Sequence, residues 1–184
     1  MKTDKTFLVL VPHRDIRVIL QKQSESLIKN GLTGVYSFPH IAVLASLSQP
    51  LNAEDLKRIA CSLREAAGTE KISIKKTANF PFPAGAEEMH LFGYKLDFNI
   101  PPVLYNGIKE VKEIFPPLIG SFLVPDAHRE KLCAFAPECE NLEFRAAAVA
   151  NMYWKPVQTK KETVFKWKID KLFWLPKVTK VTES

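Results

Sequence analysis

The segment Ser37-Phe-Pro-His-Ile-Ala-Val-Leu44 carries the sharpest chemical feature of the chain. A histidine entering a strand directly after proline shares its face with the residue two further on, so His40 and Ala42 are expected to point the same way. Near neutral pH an imidazole is available both neutral and protonated, which makes His40 the first candidate for proton transfer. Three further histidines are His13, beside Arg14 at the end of the first apolar run, His90, which opens a later run, and His128, beside Arg129. Solvent exposure is the expectation for these three. His13 and Arg14 sit at a strand end where a loop can face a cleft. They are candidates for ligand contact, together with Ala42 and with Ser121 in the run Leu118 to Val124.

The elements that must hold these residues follow from periodicity. Phe7-Leu-Val-Leu-Val11, ending at Pro12, reads as a buried strand. Ile16, Ile19, Leu20, Leu27 and Ile28 give a helix over Asp15 to Asn30, with Asp15 as its cap and Gly31 as its left-handed stop. Ile41 to Leu44 forms the next strand. Asn52 caps a second helix whose buried stripe is Leu56, Ile59, Ala60 and Leu63, ending at Gly68. Strands are expected from Ile72 and from about Met89 to Phe98, joined antiparallel across a turn at Pro81 to Gly85. Leu104, Ile108, Val111 and Ile114 then suggest a third helix. Phe115-Pro-Pro117 leads into Leu118 to Val124, and Asp126 starts a short helical stretch. The closing run Phe165-Lys-Trp-Lys-Ile169 alternates as a half-exposed strand does. Its aromatic residues interleave with lysines in the manner of a base-stacking surface. Shared strand parity instead turns Phe165, Trp167, Ile169 and Phe173 toward the core.

Composition narrows the function classes. The 184 residues suffice for one domain with a proper core, with apolar and charged fractions of 46% and 25% that exclude disordered and fibrous chains. Thr6 to Val11 is too short to span a membrane and lacks a cleavage site, so no membrane association is expected and the cytoplasm is the expected location. Cys61, Cys133 and Cys139 have neither disulfide nor zinc spacing, and no metal or cofactor is implied. Dinucleotide and P-loop glycine motifs, a GxSxG elbow and an HExxH helix are all absent. The net charge of +6 owes much to Lys155, Lys160, Lys161, Lys166, Lys168, Lys171, Lys177 and Lys180. Such a surface would favour anionic partners, RNA among them, but a solvated strand face followed by a flexible tail over 177–184 is the simpler account, since charge runs usually face solvent.

The element order strand, helix, strand, helix, strand recurs, which divides a single domain over 1–184 into similar halves of about 5–88 and 89–176. Phe115-Pro-Pro117 echoes Phe38-Pro39, Asp126 echoes Asn52, and Ala150-Asn-Met152 echoes Ala78-Asn-Phe80. Two such halves would pack as an α+β, bilobal domain of antiparallel sheets around a central cleft.

The first strand, its helix and the Phe38-Pro-His-Ile-Ala-Val-Leu44 strand resemble the opening of the two-histidine phosphoesterase family, which includes 2′-5′ RNA ligases and cyclic phosphodiesterases. As element order the likeness covers nearly the whole chain. At residue level it is specific over 38–44. It implies one His-x-Thr/Ser motif per half, facing each other across the cleft. One imidazole accepts a proton from the attacking oxygen, the other donates one to the leaving oxygen, and the hydroxyls hold the phosphate. This chain departs from the pattern. His40 is followed by Ala42 where a hydroxyl belongs, and the second half has Pro117 and Ile119 in place of histidine and hydroxyl. A second register through Arg145-Ala-Ala-Ala-Val-Ala150 also lacks a histidine. The resemblance therefore implies a degenerate site, with standard catalysis lost or altered, that binds a nucleotide or RNA phosphate with His40 as one contact. Two alternatives stand beside it: an active phosphodiesterase pairing His40 with His13 or His90, and a protein-interaction scaffold. Nothing in the residues speaks to oligomeric state.

Overall fold

The computed structural model describes residues 5–67, 72–84, 88–133, 142–160 and 163–175. Along the chain run β1 (Lys5–Pro12), α1 (Arg14–Lys29), β2 (Tyr36–Ser37), β3 (Ala42–Leu47), α2 (Ala53–Ala67), β4 (Ile72–Phe82), β5 (Met89–Leu96), α3 (Val103–Asn106), β6 (Val111–Ile114) and β7 (Leu118–Pro125). A single 3-10 turn (Asp126–His128), α4 (Arg129–Cys133), β8 (Glu143–Phe144), β9 (Ala146–Gln158) and β10 (Thr163–Trp174) follow. The protein is α+β, built on one large antiparallel sheet in the order β10-β9-β1-β3-β7-β5-β4-β8, with β2 beside β7 and β6 beside β3. No helix among the described residues is long and apolar enough to cross a membrane.

The two faces of the sheet are finished differently. On one, Ile16 and Leu20 of α1 and Leu56, Ile59, Ala60 and Leu63 of α2 pack on Leu8, Leu10, Ala42, Leu44 and Ile119. Each buried Leu or Ile there contributes about 1.5–3 kcal/mol. The opposite face is built from strand and loop residues alone, among them Phe7, Phe38, Phe80, Phe82, Phe115 and Trp154. Phe7 on β1 and Phe82 on β4 stack at 5.0 Å between ring centroids. Four strand steps separate β1 from β4 and would span about 19 Å in a flat sheet. The sheet therefore curls strongly, and aromatic rings fill its concave side. Trp154 closes this core by donating its indole N–H to the Ala84 carbonyl at 3.0 Å.

Local chemistry explains most boundaries. Asn52 accepts the Asp55 N–H at 2.9 Å, the capping expected of it. Gly31 follows α1 at φ +101°, as its glycine predicts. At the start of α1 the cap is His13, and Asp15 lies inside the first turn with its carboxylate accepting the Ile16 N–H. The expected third helix is the largest departure. Pro101 and Pro102 start α3, which stops at Gly107, and Val111–Ile114 becomes β6 paired with β3. Ladder hydrogen bonds outweigh an apolar spacing that fits a helix on paper. Pro81 and Phe82, expected in a turn, extend β4. Gly68, Gly85, Lys161, Cys139 and the tail from 177 lie outside the described residues.

Candidate functional site

Between β2 and β3 the chain runs antiparallel past β7. Ser37 pairs with Phe122, the Phe38 N–H donates to the Ser121 carbonyl at 3.0 Å, the Gly120 N–H donates to Ile41 at 2.9 Å, and Ala42 pairs with Ile119. A tight turn, closed by the Ile41 N–H on the Pro39 carbonyl at 2.7 Å, sets His40 off this ladder. The proline fixes that turn because it has no N–H for the ladder and a restricted φ.

Opposite it, β7 carries a bulge. Consecutive residues Phe92 and Gly93 of β5 face Phe122 and Gly120, leaving Ser121 as the extra residue. The bulge aims Ser121 at His40, with Oγ 3.3 Å from Nδ1. Two glycines make the approach feasible. A Cβ on Gly93 would lie 1.7 Å from the Ile119 carbonyl oxygen, and one on Gly120 would lie 2.6 Å from the side chains of Leu91 and Phe38.

The His40 ring is mostly buried. Desolvation is the chief cause that lowers its pKa from 6.5 to about 4, and the positive charge of Arg17 acts the same way against a hydrogen bond to the Gly120 backbone. At neutral pH the ring is uncharged, and it can accept a hydrogen bond but resists taking up a proton. It is poorly suited to act as an acid there.

His13, Arg14 and Arg17 lie exposed on the first turn of α1. His13 and Arg17 are four residues apart and share a helix face. No side chain caps this helix. Two arginines at the positive end of a helix dipole are placed against the electrostatic preference, which an anion at that end would reverse.

The residues singled out from the sequence thus have different surroundings. His40 and Ser121 are brought together. His13 and Arg14 stand at the start of the helix from which Arg17 reaches the field of His40. Ala42 has no exposed surface and faces the helix-side core, so it offers a ligand neither a polar atom nor access. His13 is exposed as expected, but His90 is buried, with Nδ1 3.2 Å from Asn79 Oδ1 and Nε2 3.0 Å from Asp126 Oδ1. His128 is half-buried against Gly34, its Nδ1 without a hydrogen-bond partner among the described residues. Sequence reasoning missed Arg17, although its spacing from His13 was a usable signal, and missed the bulge, although glycines inside strand patterns mark such sites.

Among the described residues no group of three or more His, Cys, Asp or Glu is arranged to hold a metal. No protein-family model, curated protein or solved structure matches the chain.

Proposed function

We propose that this protein is a divergent two-histidine-phosphoesterase-like domain that binds a phosphate-bearing ligand, a nucleotide or an RNA end, where His40, Ser121 and the start of α1 converge. The observation that carries this reading is the 3.3 Å approach of Ser121 Oγ to His40 Nδ1. It supplies beside His40 the hydroxyl that Ala42 lacks, from the neighbouring strand. Arg17 and Arg14 add positive potential for an anion, offset in part by the Asp15 carboxylate in the same turn.

The strand order supports the two-half reading. Outward from the junction of β3 and β7 lie β1 on one side and β5 on the other, then β9 and β4. In chain order these are the first, second and third long strands of residues 5–88 and of 89–176, with the third strand of each half lying in the other half's part of the sheet. Pro117, just before β7, and Ile119, on it, stand where a second motif would be read, and they leave the site one imidazole where the family mechanism needs two. Binding without standard turnover follows.

The test is calorimetric titration at low salt with nucleoside monophosphates and 2′,3′-cyclic nucleotides, in parallel with a hydrolysis assay. Binding that weakens at least tenfold in both Ser121→Ala and Arg17→Gln, with no hydrolysis, supports the proposal. Absence of binding for every nucleotide overturns it. Turnover that disappears in His40→Ala replaces it with the phosphodiesterase reading.

A further inference from the structure

The edge strand β10 leaves large apolar side chains in solvent. Trp167 is 47% exposed, Leu172 47% and Trp174 67%. Register places the two tryptophans on one face. Trp167 pairs with Trp154 and Trp174 with Ala148, and both partners belong to the helix-free face. Six residue steps along β9 separate those partners, so the tryptophans stand about 20 Å apart along the edge. Parity alone would have put Phe173 on that face. The irregularity between Asp170 and Phe173, with Lys171 at φ +51°, turns Phe173 to the helix side and Leu172 and Trp174 outward.

Among the described residues the exposed charges on this edge are of one sign. Lys166, Lys168 and Lys171 are exposed on β10, and Lys166 lies directly opposite Lys155 of β9. Lys5 registers with Trp154, which registers with Trp167, so an ammonium group occupies the same transverse row as the exposed indole. Asp170 is half-buried and spends its carboxylate on the Lys171 N–H at 2.9 Å, which holds the bend.

Another β-strand is a poor occupant for this edge. Lysines and an irregularity with a left-handed residue are the devices by which edge strands resist pairing. Indoles along one face of a basic edge instead fit a single-stranded polynucleotide whose bases stack on the rings, while its phosphates follow the edge itself, where Lys166 and Lys168, turned to the opposite face by their register with Lys155 and Tyr153, reach them. We infer that β10 is a binding edge for single-stranded nucleic acid, with Trp167 and Trp174 as stacking platforms and Lys166 and Lys168 as phosphate contacts. This surface is carried by different residues from those at His40 and does not depend on that site binding anything.

The experiment titrates the full chain with fifteen-residue oligo(dT) and oligo(U), read by tryptophan fluorescence and by anisotropy of labelled oligonucleotide. Binding at low salt is expected, weakening about tenfold in each of Trp167→Ala and Trp174→Ala, since each removes one stacked base. Lys166→Gln with Lys168→Gln should lower the slope of log affinity against log salt by about 1.4, roughly 0.7 for each contact to a single strand. Circular dichroism establishes that each variant is folded, and exposed side chains on an edge strand make that the expected outcome. Excess nucleoside monophosphate, which would fill the His40 site, should leave the tryptophan-dependent oligonucleotide binding in place, so this edge and the His40 site fail or succeed separately. No binding at low salt, or binding unchanged in both tryptophan variants, overturns the inference. So does binding to anionic phosphatidylserine vesicles without oligonucleotide binding, or a dimer in light scattering that Trp174→Ala dissolves.

Discussion

Ala42 and Ile119 stand directly opposite each other as the Cα pair that registers β3 against β7. They are the two positions at which the family pattern asks for hydroxyls, and here both side chains are fully buried among the residues under α1 and α2. Under the reading proposed above, the two hydroxyls are replaced by apolar side chains of one packed layer shared by facing strands. A hydroxyl restored at either position would enter a dry core, and the hydroxyl that does approach His40 comes from the bulge two residues beyond Ile119.

Ala42→Thr is accordingly expected to destabilise the fold and to create no phosphodiesterase. The added methyl and hydroxyl have no free volume beside Ile119, and overpacking of this kind costs about 1–3 kcal/mol. For a chain of this length each kcal/mol lowers the melting temperature by about 2–4 °C. Thermal unfolding and the cyclic-nucleotide assay check both halves of the expectation. A variant as stable as the natural chain would show that the core beside Ile119 has room.

Gly93→Ala should be more damaging than its single methyl suggests. The new Cβ would meet the Ile119 carbonyl at 1.7 Å, a backbone atom that cannot move without opening the bulge. A loss of about 3 kcal/mol or more is expected, beyond the usual range for an added methylene. Urea unfolding measures it. In the same variant, a shift of the His40 ring signals in NMR would show that the bulge carries Ser121 with it, and unshifted signals would separate the two.

Much of the frame was legible in the sequence and much of the site was not. Asn52, Gly31 and the apolar stripe of α2 act within a few residues of themselves, so local rules reach them. Val111 to Ile114 has a spacing that suits helix or strand, and the choice was made by pairing with β3, which no local pattern records. Trp167 looked like a core residue by parity, yet an edge strand has no neighbour to cover it. His40 was conspicuous because proline and an apolar run frame it. Its partners Ser121 and Arg17 come from sequence positions 81 residues ahead and 23 behind, brought in by the bulge and by the seating of α1.

Asn151 offers a test of the structure away from the site. Its buried side chain accepts the Leu51 N–H at 2.9 Å and donates to the Leu51 carbonyl at 2.8 Å, pinning the approach to α2 onto β9. Asn151→Leu keeps the forked outline of the side chain and strands both backbone groups out of water, at a cost of about 3 kcal/mol. The urea midpoint should fall with an unchanged denaturant slope. Little change would mean that water reaches Leu51.

The ring of His40 predicts a pH dependence with a definite sign. Its folded-state pKa is lowered to about 4 from 6.5, chiefly by burial. Between these values the unfolded chain takes up a proton that the folded chain refuses, so the contribution is favourable above pH 6.5, declines as pH falls, and levels off below about 4. A shift of this size corresponds to at most about 3 kcal/mol. His40→Gln removes the titrating group. The loss of stability between pH 7.5 and 4.5 should then be smaller in the variant, while carboxylates and other histidines contribute alike to both proteins and cancel in the difference. NMR should find His40 uncharged at pH 6 and titrating near 4, and a phosphate ligand bound beside it should raise that midpoint. A midpoint of 6.5 or higher without ligand would mean that the ring is solvated and available as an acid, and the phosphodiesterase reading would then gain the proton donor that it lacks.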